Sequence, residues 1–164
     1  MRIADVLRNK GTDVATVSPD ATVRELLAGM AQRNIGAMVV TSSAGAIPGI
    51  VSERDVVRKL HEDGPTVLDA SVAHIMSTAV ATCSMDSSVD ELSETMTLNR
   101  VRHVPVLTDG RLSGIVSIGD IVKSRLEQLQ DEQAQLQAAG VGAELSAQPG
   151  FAGHGLAGIG VAVQ

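Results

Sequence analysis

The sequence predicts an α+β fold: two copies of a β-α-β-β-α unit packed through their sheets, an extended C-terminal helix and a flexible tail. Three observations lead there. Gly49-Ile50-Val51-Ser52-Glu53-Arg54-Asp55 returns about 65 residues later as Gly114-Ile115-Val116-Ser117-Ile118-Gly119-Asp120. From Asp13 to Thr41, about thirty positions pair with the second half at a constant offset, and about a third are identical, as an internal duplication requires. Each copy has about 60 residues, too few to bury an adequate core alone, so two copies must pack face to face.

The elements follow in order. Ile3 to Leu7 reads as a short apolar helical turn, and Val72-Ala73-His74-Ile75-Met76 repeats it ahead of the second copy. Val14 to Asp20 and Val80 to Asp86 are β-rich runs closed by turn formers. Val23, Leu26, Leu27 and Met30 then stand at helical spacing, echoed by Val89, Leu92 and Met96. Thr22 with Glu25, and Ser88 with Glu91, are capping boxes that set the starts of these helices.

Asn34 to Val40 and Arg100 to Val106 are strands. The second feeds the pair Asp109-Gly110, which favours a tight hairpin, into a strand from Leu112 to Val116. The first copy has a longer link with Gly45 and Pro48. Each Gly-Ile-Val-Ser strand enters a Ser-x-x-Asp box and then an apolar-periodic helix. The last helix runs toward Gly140 with Val122, Leu129 and Leu136 seven apart, a weak coiled-coil seam. Beyond Gly140 a Gly- and Ala-rich stretch without periodicity reads as a flexible tail. The domain division is residues 1–64 for the first repeat, 65–130 for the second, and 131–164 for the helix extension and tail.

Composition narrows the function. A formal charge of −6, with no basic stripe, argues against nucleic acid or an anionic membrane as a partner. Phe151 is the sole aromatic residue, so base-stacking platforms are missing too. Cys83 is the lone cysteine and reads as a small packed side chain. No apolar run has signal or transmembrane length, so the cytoplasm is the expected compartment. His61, His74 and His154 lack partners at metal-ligand or catalytic spacing, and no nucleophile stands beside a base. Neither an enzyme nor a metal site is expected.

With the duplicated Gly-hydrophobic-hydrophobic-Ser-x-x-Asp ends and the Val104-Pro105-Val106 strand in hand, residues 1 to about 130 resemble a pair of cystathionine-β-synthase (CBS) domains. The resemblance implies a Bateman module: two pseudo-twofold-related repeats with clefts between their sheets that bind adenosine nucleotides and related ligands. It also implies a homodimer, since such modules commonly pair through their helices. With no catalytic or transport domain in this sequence, the expectation is that it resembles the small stand-alone members.

Ser52 and Ser117, with Asp55 and Asp120, suit two roles at once. They cap helices, and they present a hydroxyl, free N–H groups and a carboxylate where a phosphate and a ribose diol are welcome. By resemblance the serines contact phosphate and the aspartates ribose. Arg102 and His103, ahead of the Val-Pro-Val strand, resemble phosphate contacts, although strand alternation lets only one of two neighbours face a cleft. Val14, Thr16, Val80, Thr82, Ala37, Met38 and Val104 are candidate walls for an adenine, with core packing as the alternative. Because the first copy has Gly36-Ala37 where the second has Arg102-His103, the Asp120 box is the expected phosphate site, although Arg54 and Arg58 also come within reach of one bound there.

The expectation is a regulatory sensor for AMP, ADP or ATP, with NAD(H) or S-adenosylmethionine ranked lower. It needs no cofactor and modulates a protein target that the sequence does not name. The alternative is a ligand-free structural or protein-interaction module.

Overall fold

A computed structural model describes residues 1–140, and the tail expected after Gly140 lies outside them. The first half runs α1 (Ile3–Lys10), β1 (Thr16–Val17), α2 (Val23–Arg33), β2 (Ala37–Val40), β3 (Gly49–Ser52) and α3 (Glu53–Asp63). A 3-10 turn at Pro65–Asp69 then leads to α4 (Val72–Ile75), β4 (Cys83–Ser84), α5 (Val89–Asn99), β5 (His103–Thr108), β6 (Arg111–Ser117) and α6 (Ile118–Ala138). Met1–Arg125 form one compact unit, which holds both repeats, and a second unit begins at Leu126 inside α6.

The capping boxes are in place. Thr22 Oγ1 accepts from the Glu25 N–H at 3.2 Å while the Glu25 carboxylate accepts from the Thr22 N–H at 2.7 Å. Ser88 and Glu91 make the same exchange at 3.1 Å each way ahead of α5. Asn34 and Arg100 end α2 and α5 in the left-handed conformation, at φ 52° and 53°. The hairpin between β5 and β6 turns through Asp109 and Gly110, both at positive φ, as a primed turn requires.

Each repeat carries a three-stranded sheet. In the first, β2 is central, parallel to β1 and antiparallel to β3; β5 holds the same place between β4 and β6. The β-rich runs at Val14–Asp20 and Val80–Asp86 shrink to two paired residues each. Ser18 accepts from the Asp20 N–H and Ser87 from the Ser84 N–H, and such local bonds compete with the ladder.

The cores are assembled by exchange. Ile3, Val6 and Leu7 of α1 pack with Val89, Leu92, Met96, Val104, Val106, Val116 and Ile121, all from the second half. Val67, Val72 and Ile75, from the start of the second half by sequence, pack with Val23, Leu26, Met30, Met38, Val40, Val51 and Val56. Matching backbone pairs pin both exchanges: the Ile3 N–H donates to Ser87 and the Val89 N–H to Met1, while the Val72 N–H donates to Ala21 and the Val23 N–H to Ala70. Ile3 and Leu7 are 0% and 2% exposed, and each buried side chain of this size contributes about 1.5–3 kcal/mol, so α1 is firmly held to the second repeat.

Side chains alternate along a strand, which gives β2 two buried faces. Met38 and Val40 enter the first core, whereas Ala37 and Val39 turn the other way and are buried as well. Ala37 and His103 of β5 line one cavity, so the two sheets meet through these faces.

Candidate functional site

The chain passes from β3 into α3 at Ser52, and the first Ser-x-x-Asp box closes there. Asp55 Oδ2 accepts from the Ser52 N–H at 2.8 Å and from the Ser52 hydroxyl at 2.9 Å. Its Oδ1 accepts from the Arg58 guanidinium at 3.1 Å and from the Ser77 hydroxyl at 3.2 Å. A carboxylate only 7% exposed is thereby held by four donors, which offsets the desolvation of its charge.

The box opens on a cavity of about 410 Å³, within the range of small-molecule sites. Gly36, Ala37 and Ile50 form one side with the N-terminal turn of α3; Ser77 and Ala79 to Ala81, with the segment from Asn99 to His103, form the other. Both repeats therefore supply walls. Arg54, Arg58, Arg100 and Arg102 line it against the carboxylates of Glu53 and Asp55, so the cavity is basic within an acidic chain. Arg58 is paired with Asp55; among the described residues Arg54, Arg100 and Arg102 make no side-chain hydrogen bond or ion pair. A smaller adjoining hollow of about 340 Å³ shares Arg54, Arg100 and Arg102.

His103 is half-buried at the edge of this cavity. Burial pushes its pKa down, and the Lys10 and Arg102 cations add to the effect while Asp120 and Glu53 oppose it, which favours the neutral imidazole. The arrangement offers a buried carboxylate that accepts hydrogen bonds, a helix N-terminus and three uncommitted guanidiniums. Groups of this kind are able to hydrogen-bond a hydroxyl-bearing anion.

The second box has the same backbone form. Asp120 Oδ2 accepts from the Ser117 N–H at 2.7 Å and hydroxyl at 2.8 Å, and the Asp120 N–H donates back to Ser117 Oγ at 3.2 Å. Lys10, however, lies on it, with Nζ 2.6 Å from Asp120 Oδ2 and 2.9 Å from the Ile115 carbonyl. Burial alone would raise the Asp120 carboxyl, but Lys10 and the two Ser117 donors outweigh it and hold the group below the usual carboxylate range.

The CBS domain model matches residues 3–62 and 72–127, the two halves just described. The chain belongs to the CBS domain family. The crystal structure of the CBS-domain containing protein ATU1752 from Agrobacterium tumefaciens is 44% identical, with a TM-score of 0.75 over 76% of this chain and 99% of that one. A mitochondrial CBS domain-containing protein of Arabidopsis thaliana, CBSX3, is 33% identical over 144 residues, 83% of this chain and 70% of the relative. The CBS domain pair of protein MJ0100, solved in complex with 5-methylthioadenosine and S-adenosyl-L-methionine, is 25% identical, with a TM-score of 0.67 over 77% of this chain and 98% of that one.

Set on this CBS pair, the residues singled out from the sequence divide. Ser52, Asp55, Ala37, Val80, Arg102 and His103 come together in the cavity. Met38 and Val104 are core, because their neighbours Ala37 and His103 already turn toward the cavity. Thr16 and Thr82 are exposed and Val14 is half-buried, and none of the three lines it; the short β1 and β4 leave these runs mostly outside the ladder. Arg102 and His103 both face the cavity because β5 begins at His103, which leaves Arg102 outside strand alternation.

Arg102 and His103 share their cavity with Asp55; Ser117 and Asp120 do not line it, although His103 pairs with Ser117 in the ladder and the Ile118 N–H donates to the Arg102 carbonyl, and Asp120 takes Lys10. Sequence reasoning missed Arg100, Ser77 and Lys10. Arg100 had a signal, since it stands where the first repeat has the helix-ending Asn34. Among the described residues no group of three His, Cys, Asp or Glu could hold a metal, and no helix is long and apolar enough to cross a membrane.

Proposed function

We propose that this CBS pair is a cytoplasmic regulatory module that binds an adenine nucleotide in the Asp55 cavity and so alters its affinity for a protein partner. The ribose diol donates to Asp55, and the phosphate lies toward the start of α3, among Arg54, Arg100 and Arg102. The observation that carries this reading is the convergence of a buried carboxylate box with three guanidiniums that make no side-chain hydrogen bond or ion pair among the described residues. The adenosyl ligands of the MJ0100 pair support the nucleoside part. AMP, ADP and ATP fit the arginines best; NAD(H) and S-adenosylmethionine rank below. Catalysis has no part in this reading.

A melting-temperature panel with AMP, ADP, ATP, NADH, S-adenosylmethionine and adenosine tests it. A ligand at 100 times its Kd stabilises by about 2.7 kcal/mol, so a binder gives a clear rise. A flat panel sinks the proposal.

The second reading, a protein-interaction module, draws on α6. Val122, Leu129 and Leu136 are 53%, 56% and 57% exposed and stand seven residues apart. A second copy of the chain is the proposed cover for this stripe, and Leu129→Asp is then expected to turn a dimer into a monomer in light scattering.

A further inference from the structure

An ionised carboxylate is an acceptor only, with about four lone-pair sites, and at Asp55 the chain itself fills them. Oδ2 accepts twice from Ser52, and Oδ1 accepts from Ser77 and from Arg58. A ribose hydroxyl can donate to Asp55 only if one of these donors withdraws.

The donors differ in how firmly they are placed. The Ser52 N–H and hydroxyl are part of the cap of α3. Ser77 is fixed through its backbone, since its N–H donates to Ile50 at 2.9 Å and the Ile50 N–H donates back at 3.0 Å. The Arg58 guanidinium, 3.1 Å from Oδ1, ends a long side chain that is 56% exposed. Arg58 is the donor free to leave.

Where that guanidinium goes decides the cost of its leaving. Arg54 and Arg58 both line the cavity, and side chains four apart on a helix are neighbours. A phosphate beside Arg54 therefore lies within reach of the displaced guanidinium, which trades one anion for another. An unphosphorylated nucleoside brings no anion. It replaces an ion pair by a hydrogen bond from a neutral hydroxyl and turns the guanidinium out to water.

We propose that Arg58 is a specificity-determining residue, a competitor built into the cavity that holds Asp55 until a ligand carrying both a diol and an anion exchanges with it. The cavity then selects nucleotides over nucleosides by penalising the nucleoside as well as by contacting the phosphate. The proposal rests on the nucleotide reading of the Asp55 cavity.

Calorimetric titration of the full chain with AMP and with adenosine tests this in the wild type, Arg58→Met and Arg54→Met. In Arg58→Met adenosine is expected to bind roughly tenfold more tightly, the lower end of what a hydrogen bond to a charged group is worth. AMP affinity should change little, because the competitor and a phosphate contact are lost together. Arg54→Met removes the same charge one turn away, and should weaken AMP while leaving adenosine unchanged. Arg58→Ala serves if the Met variant lacks a cooperative melting transition. An unchanged ratio of the two affinities in a folded Arg58 variant overturns the proposal. So does weaker adenosine binding, which would make Arg58 a support for Asp55, or an equal gain for adenosine in Arg54→Met, which would assign the effect to lost charge alone. If neither ligand binds the wild type or any variant, the reading of the cavity falls and the proposal with it; if the wild type binds AMP and the ratio holds, the proposal falls alone.

Discussion

The Ser77 hydroxyl donates to Asp55 Oδ1 at 3.2 Å, joining the segment that opens the second repeat to the Ser-x-x-Asp box of the first. With the Ser52 N–H, the Ser52 hydroxyl and Arg58, it completes the set of donors around a buried carboxylate. Asp55→Ala strands these donors and is expected to destabilise the chain by about 1–3 kcal/mol. It should also weaken AMP binding more than Asp120→Ala does, since Asp55 shares its cavity with Arg54, Arg100 and Arg102. Calorimetry on the two single variants decides the order. A larger loss in Asp120→Ala would move the phosphate site to the second box.

Arg100 ends α5 at φ 53°, a conformation that its bulk disfavours and that Asn34 fills more easily at the matching position. Left-handed backbone in a residue with a Cβ costs about 1–2 kcal/mol, and such strain is often kept where a side chain is needed at a site. Arg100→Asn is therefore expected to raise stability, by up to about 1 kcal/mol, while weakening AMP binding severalfold and leaving adenosine binding unchanged. Thermal melts and titrations with both ligands check the two halves separately. Unchanged AMP affinity would mean that the arginine has no part in the site.

How much of this was legible depends on distance along the chain. The boxes at Thr22, Ser88, Ser52 and Ser117 and the Asp109-Gly110 turn are local devices, closed within three or four residues, and their pattern in the sequence suffices. The meeting of Asp55 with Arg100 and Arg102 is different, because it is made by the packing of one repeat on the other. Offset alignment places Arg102 and His103 beside Asp120 and is silent about what faces them. The exchange of α1 was hidden for the same reason, since Ile3 and Leu7 are apolar whichever core they enter. Lys10 left a trace in the six residues between Leu7 and Val14, against three between Met76 and Val80, a length difference that motif matching passes over.

The glycines of the two Gly-Ile-Val-Ser strands should tolerate alanine unequally. A Cβ on Gly49 would stand 2.7 Å from the Ser77 carbonyl oxygen, which is itself fixed by the Ile50 N–H at 3.0 Å. A Cβ on Gly114 would meet the tip of the Leu7 side chain, which has a rotamer to give. Gly49→Ala is expected to lose about 1–3 kcal/mol in denaturant unfolding, the usual scale of overpacking, and Gly114→Ala less. Gly49→Ala should also loosen Ser77 from Asp55 and so weaken nucleotide binding. Equal losses would mean that the backbone around Ser77 yields as readily as a side chain.

The last prediction concerns pH and His103. Its pKa in the folded chain lies below the ordinary value of 6.5, because burial, with Lys10 and Arg102 nearby, outweighs Asp120 and Glu53. Between the folded and unfolded pKa values the unfolded chain binds more protons, so this residue's contribution to stability is whole above about pH 6.5 and falls as pH drops below it. The wild type should therefore lose stability relative to His103→Asn on going from pH 7.5 to pH 5.5. Bound phosphate reverses the local field, favours the imidazolium and raises its pKa, so AMP binding takes up a proton. AMP affinity is then expected to strengthen from pH 8 to pH 6.5, above the second phosphate pKa of about 6. Adenosine affinity should stay flat over that range, and His103→Asn should remove the slope for AMP. A slope that survives in His103→Asn would assign the proton to another group, and a slope shared by adenosine would take the phosphate away from His103.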